Sequence, residues 1–115
     1  MPREISLVSP EPVTTAVLVE AAAGVDGALV PRLLFGGWAV QLVDTRDVAV
    51  LTIELSRLVE DPFDIERLTG PLAHPGPAWW TEATAPWGPA GEPGVRIAQA
   101  LSELLGARLL VADGR

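Results

Sequence analysis

Residues 4–8 (Glu4-Ile5-Ser6-Leu7-Val8) alternate polar and apolar side chains, the period of a half-buried strand. Ser9-Pro10-Glu11-Pro12 follows and predicts a helix start. Ser9 would cap orphan amides, Pro10 suits the first turn, and Glu11 faces the positive end of the dipole. That helix is expected to run to about Ala23 and stop at Gly24, with Val13, Ala16, Val17 and Ala21 on one side.

The middle of the chain is patterned most sharply. Gly36-Gly37 separates Leu33-Leu34-Phe35 from Trp38-Ala39-Val40, which suits a two-residue hairpin turn with positive φ. Asp44-Thr45-Arg46-Asp47 then separates Val43 from Val48. If Phe35 opposes Trp38 and Val43 opposes Val48, one sheet face carries Leu33, Phe35, Trp38, Val40, Leu42, Ala49, Leu51, Ile53 and Leu55. The other carries Arg32, Leu34, Ala39, Gln41, Val43, Val48, Val50, Thr52 and Glu54. The first set is wholly apolar and the second holds every polar residue, so the pattern selects this register for a three-stranded meander.

Asp61-Pro62-Phe63-Asp64 predicts a short helix, capped by Asp61 and stopped at Gly70. Residues 70–91 hold five prolines, four glycines and three of the four tryptophans, and read as a long ordered loop with a short extended piece near Ala78–Glu82. A helix over about 92–105 puts Ile97, Ala98, Leu101, Leu104 and Leu105 on one face and Arg96, Gln99 and Glu103 opposite. Gly106 ends it, and Arg108–Val111 reads as a closing strand. The sum is an α+β domain: a mostly antiparallel sheet with helices on one face, of a ferredoxin-like or related arrangement.

Length changes this picture little. At 115 residues one domain is expected over 1–115, with a core that needs neither metal nor disulfide. Charge changes it more. The net charge is -7, and the eight basic residues are all arginines scattered from Arg3 to Arg115, never two within five positions. Phosphate backbones and anionic membranes need clustered cations, so nucleic acid is excluded as a partner and a basic protein is favoured. Lys, Asn, Tyr and Cys are absent while Ala, Gly, Pro and Val abound, which reads as codon pressure in a GC-rich bacterial genome rather than chemistry. No apolar run is long enough for a signal peptide or a membrane span, so a cytoplasmic protein is expected.

The search for chemistry yields little. His74 is the only histidine, and Ser6, Ser9, Ser56 and Ser102 lie in no nucleophile-elbow context. Glu60, Asp61, Asp64 and Glu66 lack the ligand order of a calcium loop, and capping accounts for Asp61 and Asp64. No cofactor fingerprint is present. Glu54 and Glu82 would form a carboxylate pair if they met on the outer sheet face.

What stands out is Pro77–Trp87, with Trp79, Trp80 and Trp87 inside nine residues. Exposed tryptophan is costly and typical of binding hot spots, whereas folded back the segment would complete the core. Adjacent residues in extended chain point oppositely, so at least one of Trp79 and Trp80 is expected to be buried. The expected partner-binding set is Trp79, Trp80, Trp87, Glu82, Asp61 and Asp64. Apolar Leu34, Ala39, Val43, Val48 and Val50 on the outer face raise a homodimer as a further possibility.

Three readings follow. The first is a non-catalytic interaction protein that binds a basic protein partner, comparable in size and charge to proteins that neutralise basic toxins. The second is a small-molecule module with Trp38, Trp79, Trp80 and Trp87 lining an apolar pocket. The third is a small carboxylate-dependent enzyme using Glu54, Glu82 or the 60–66 acidic run.

Overall fold

The computed structural model describes residues 2–60 and 78–112. The short helix expected from Asp61 to Gly70, and with it Asp61, Asp64 and His74, lies outside the described residues. The rest forms an α+β fold built on one seven-stranded sheet whose pairings are all antiparallel. In chain order the elements are β1 (Arg3–Ser9), α1 (Thr15–Val25), β2 (Val30–Leu34), β3 (Ala39–Val43), β4 (Ala49–Glu54), β5 (Arg57–Val59), β6 (Ala78–Ala85), α2 (Glu92–Leu105) and β7 (Arg108–Ala112). The strand order is β2-β3-β4-β6-β1-β7, with β5 also paired to β6. This order does not establish the ferredoxin-like arrangement, because β2, β3 and β5 extend the sheet beyond the four strands of that fold.

Both helices cover one face. Leu18, Ala21 and Ala22 of α1 and Ile97, Ala98 and Leu101 of α2 join Ile5, Leu7, Leu42, Leu51, Ile53, Ala83 and Ala85 in one buried cluster. Helix α2 follows the expected bounds and ends at Gly106, which adopts the left-handed conformation (φ 61) that favours glycine. Its Gly94 lies so close to the sheet that a Cβ would run into the Val50 carbonyl and touch Ala85. That contact lets α2 sit low over β4 and β6.

Helix α1 departs from expectation at both ends. It starts at Thr15, capped by Thr14, whose Oγ1 accepts from the Val17 amide at 3.2 Å. Ser9 does not cap it: its hydroxyl donates to the Glu11 carbonyl at 2.6 Å. Pro12 disfavours a helical Glu11, so Pro10–Val13 runs as a connector and the helix begins beyond it. The Val13 amide donates to Ser56 Oγ at 2.8 Å, and Ser56 in turn shares a hydrogen bond with the buried Thr81 hydroxyl at 2.7 Å. The far end passes Gly24, and the Asp26 amide closes onto the Ala22 carbonyl at 2.8 Å.

The β2–β3 register is the expected one, with Leu33 opposite Val40 and Leu34 opposite Ala39. The β3–β4 register differs. Leu42 opposes Leu51, but Val43 opposes Ala49, so Val50 is the extra residue of a bulge and Val43 does not face Val48. The bulge turns Val50, expected on the outer face, into the helix-covered core beside Leu51. Leu33, Phe35, Trp38 and Leu55, expected in that core, are instead 66%, 80%, 71% and 53% exposed. The face assignment places them on the helix side, and Leu33, Trp38 and Leu55 do border Thr14, Thr15 and Leu18 at the start of α1, across a groove that leaves them exposed.

The largest correction concerns the loop expected over 70–91. Residues 78–85 of it form an eight-residue strand inside the sheet. β6 pairs the whole of β1, from Ser9 opposite Trp79 to Arg3 opposite Ala85. On its other side it pairs β5 at Trp80 and β4 at Thr84. Trp79 and Trp80 are both half-buried, whereas at least one of them was expected to be buried. Trp80 packs with Val8, Ala78 and Val59 in a small second cluster.

Candidate functional site

The sheet face away from the helices carries the polar side chains, and the pairings arrange them in rows. In one row Arg32 lies beside Gln41, Gln41 beside Thr52, Thr52 beside Thr84, and Thr84 beside Glu4. Gln41 Oε1 accepts from Arg32 Nη2 at 2.9 Å and its amide nitrogen donates to Thr52 Oγ1 at 3.4 Å. Arg32 also donates to Asp47 Oδ1 at 3.1 Å. The neighbouring row holds Ala39 opposite Glu54 in one pair and Glu82 opposite Ser6 in another.

These rows bring three carboxylates together. Glu4, Glu54 and Glu82 line a groove of about 160 Å³ with Thr52, Thr84 and Ala83. Glu54 and Glu82 therefore do meet on the outer face. Glu82 Oε1 accepts from the Trp80 indole at 3.2 Å and lies 3.6 Å from Arg57 Nη2. Glu54 makes no ion pair among the described residues. No group of three His, Cys, Asp or Glu among these residues is placed to hold a metal ion.

Thr52 and Glu54 also line a second groove of about 270 Å³, together with Phe35, Trp38, Ala39, Leu55 and Arg57. The two grooves are thus continuous: aromatic at the β2–β3 turn, acidic over β6. The turn itself is strained. Phe35, Gly36 and Gly37 all take positive φ (51, 65 and 98), and of these only the glycines do so freely. The Leu55 amide donates to the Trp38 carbonyl at 3.0 Å, which fixes the turn against the end of β4.

Trp79, Trp80, Trp87 and Glu82, four of the six residues expected to bind a partner, are described. Glu82 lines the acidic groove, and Trp80 stands beside it in the strand. Trp79 points to the opposite face. Trp87, 44% exposed, is tied elsewhere: the Arg3 guanidinium carbon lies 5.8 Å from its ring centre, and Arg3 Nη2 is 3.0 Å from Glu92 Oε1. Arg3 straps β1 to the start of α2. Phe35 and Trp38 were missed as surface residues because their period matches the core face. The usable signal was their place beside a Gly-Gly turn, the part of a hairpin that a helix layer covers least.

No protein-family model, curated protein or solved structure matches this chain significantly. Among the described residues no helix is long and apolar enough to cross a membrane.

Proposed function

We propose that this chain is a non-catalytic interaction protein that binds a basic protein partner through the outer face of its sheet. The observation that carries this reading is the continuous groove. It joins exposed Phe35 and Trp38 to Glu54, and Glu54 to Glu82 and Glu4. Aromatic anchors supply hot-spot contact area, while the carboxylates and the net charge of -7 steer cationic partners. Proteins that neutralise basic toxins share this size and charge, and a gene for a basic toxic domain beside this one is the matching genomic expectation.

Two features support binding over proton transfer at the Glu54–Glu82 pair. Glu82 is held as a fixed acceptor by Trp80 and Arg57. Ser56, the serine nearest this end of β4, is engaged with the Val13 amide and Thr81, neither of which is a base. A second copy of the chain is a poorer occupant than a basic partner. Of Leu34, Ala39, Val43, Val48 and Val50, which raised that possibility, Ala39, Val43 and Val50 are buried within one chain, Leu34 is half-buried and Val48 alone is exposed, and the face left over would set carboxylate against carboxylate.

The test is affinity capture from cells that produce the protein, with wild type and an E54Q/E82Q variant as bait. A basic polypeptide is expected on the wild type, lost from the variant, and released as salt rises from about 0.1 to about 1 M. Equal retention by both baits, or retention indifferent to salt, overturns the proposal.

A further inference from the structure

We infer that the hairpin end of the groove is a receptor for an arginine side chain of the protein partner, its guanidinium set against the Trp38 ring and the Glu54 carboxylate. This rests on the reading of the outer face as a docking surface for a basic protein, and names the group it recognises.

Three observations converge on it. Trp38 and Phe35 are 71% and 80% exposed on a fixed turn, so the aromatic surface is presented rather than packed. Ala39 pairs with Glu54 across β3 and β4, so the residue after Trp38 is opposite the carboxylate, and both side chains line the same groove of about 270 Å³. The one cation in that lining, Arg57, is drawn toward the acidic end by Glu82 at 3.6 Å, whereas Glu54 has no ion pair among the described residues. An aromatic face beside an unneutralised carboxylate selects a cation with an apolar stem. It selects arginine over lysine because the guanidinium is planar, stacks on indole, pairs with a carboxylate through two donors and sheds water more readily. Leu55, exposed in the same lining, offers apolar surface to a neighbouring aliphatic residue of the same segment.

The inference is tested by nitrogen-15 NMR on the whole chain, titrated with the peptide acetyl-Gly-Arg-Leu-Arg-Gly-amide to millimolar concentration. The control is the same peptide with both arginines replaced by citrulline, which keeps the shape and removes the charge. The arginine peptide is expected to shift the Trp38 indole signal and the Gly36 and Gly37 amides. The citrulline peptide should bind about threefold more weakly or less. E54Q should reduce the arginine preference and W38L should abolish the shifts, with both variants keeping the wild-type melting curve because both side chains are exposed. Shifts that map elsewhere, no shift at all, equal binding of citrulline, or shifts surviving in W38L overturn the inference. If the captured partner is lost from E54Q/E82Q but still binds W38L, the acidic face stands as the docking surface and the arginine receptor falls. If that partner ignores both variants, the broader reading fails as well.

Discussion

Phe35 and Trp38 stand at the free end of the β2–β3 hairpin, mostly in solvent, while Trp79 and Trp80 lie in β6 with a strand on either side. All four are large aromatics bordered by turn-forming residues, yet their circumstances are opposite. The difference lies in what surrounds each segment. β6 gains hydrogen-bonded neighbours from β1, β4 and β5, and a helix layer over Ala83 and Ala85. The hairpin end lies beyond Leu34 opposite Ala39, the last β2–β3 pair, and borders the start of α1 without being covered by it. An aromatic side chain in the first setting holds the fold together; in the second it is available to another molecule.

The strongest way to break this comparison is to lift the layer that makes β6 interior. Gly94→Val places atoms against the Val50 carbonyl and Ala85, so α2 must move away from β4 and β6. A loss of about 3 kcal/mol is expected in chemical denaturation. A loss under half of that would mean that the helix and sheet are not in close contact there.

Next in size is the contrast between tryptophans. Trp80→Ala removes packing on Val8, Ala78 and Val59 together with the bond to Glu82, and should cost about 2 kcal/mol. Trp38→Ala should stay within about 0.5 kcal/mol of wild type, as exposed substitutions do. Equal costs at the two positions would remove the distinction between a structural and a presenting aromatic.

How much of this was legible depended on how local each cause is. Helix α2 was readable because its period, its Glu92-Pro93 start and its Gly106 stop lie within a few residues of one another. The β2–β3 register was readable for the same reason, since a tight turn sets it. β6 was readable only as a short extended piece near Ala78–Glu82, not as a strand inside the sheet that reaches Ala85. Beyond Trp79 its inward positions are Thr81, Ala83 and Ala85, too small for a strong hydrophobic alternation, and its main partner β1 lies seventy or more residues away in sequence. The start of α1 was misjudged because Ser9 has a competing acceptor at Glu11, a local alternative that a capping pattern does not reveal. The outer-face groove inherits the problem of β6: Glu54 and Glu82 could be named as a pair, but only the placement of β6 beside β4 brings them together. Exposure at the hairpin end depends on how closely the start of α1 packs against it, which the period of a strand does not encode.

The second turn of the meander sharpens the comparison from a different side. Asp44 closes that turn: its Oδ1 accepts from the Val48 amide at 3.0 Å and the Arg46 amide at 2.9 Å. The Val48 bond does most to hold its carboxyl below the ordinary value; desolvation opposes it, and the Arg46 amide and charge add to the lowering. A folded-state value below the unfolded one of about 3.9 means that Asp44 stabilises the fold above that pH and ceases to as acid takes the pH through the lowered value. Asp44→Ala should therefore be less stable than wild type at neutral pH, and the two melting temperatures should converge as acid takes the pH below the ordinary carboxylate range. A gap that stays constant from neutral pH into acid would mean that the carboxylate charge plays no part. This turn satisfies itself and contributes to stability, in contrast to the aromatic one.

The smallest expected effect is the most discriminating. Phe35 holds φ 51 at a position where a side chain costs about 1 kcal/mol relative to glycine, and its ring is 80% exposed, so little packing offsets that cost. Asparagine tolerates the left-handed conformation without the added chain freedom of glycine. Phe35→Asn is expected to leave stability unchanged or raise it by up to about 0.5 kcal/mol, while weakening the arginine peptide at the hairpin groove. Stability and binding would then move in opposite directions at one residue, as they do where strain is kept for recognition rather than folding. If Phe35→Asn instead lowers stability by more than about 1 kcal/mol, the ring is packed against something and the hairpin end belongs with β6.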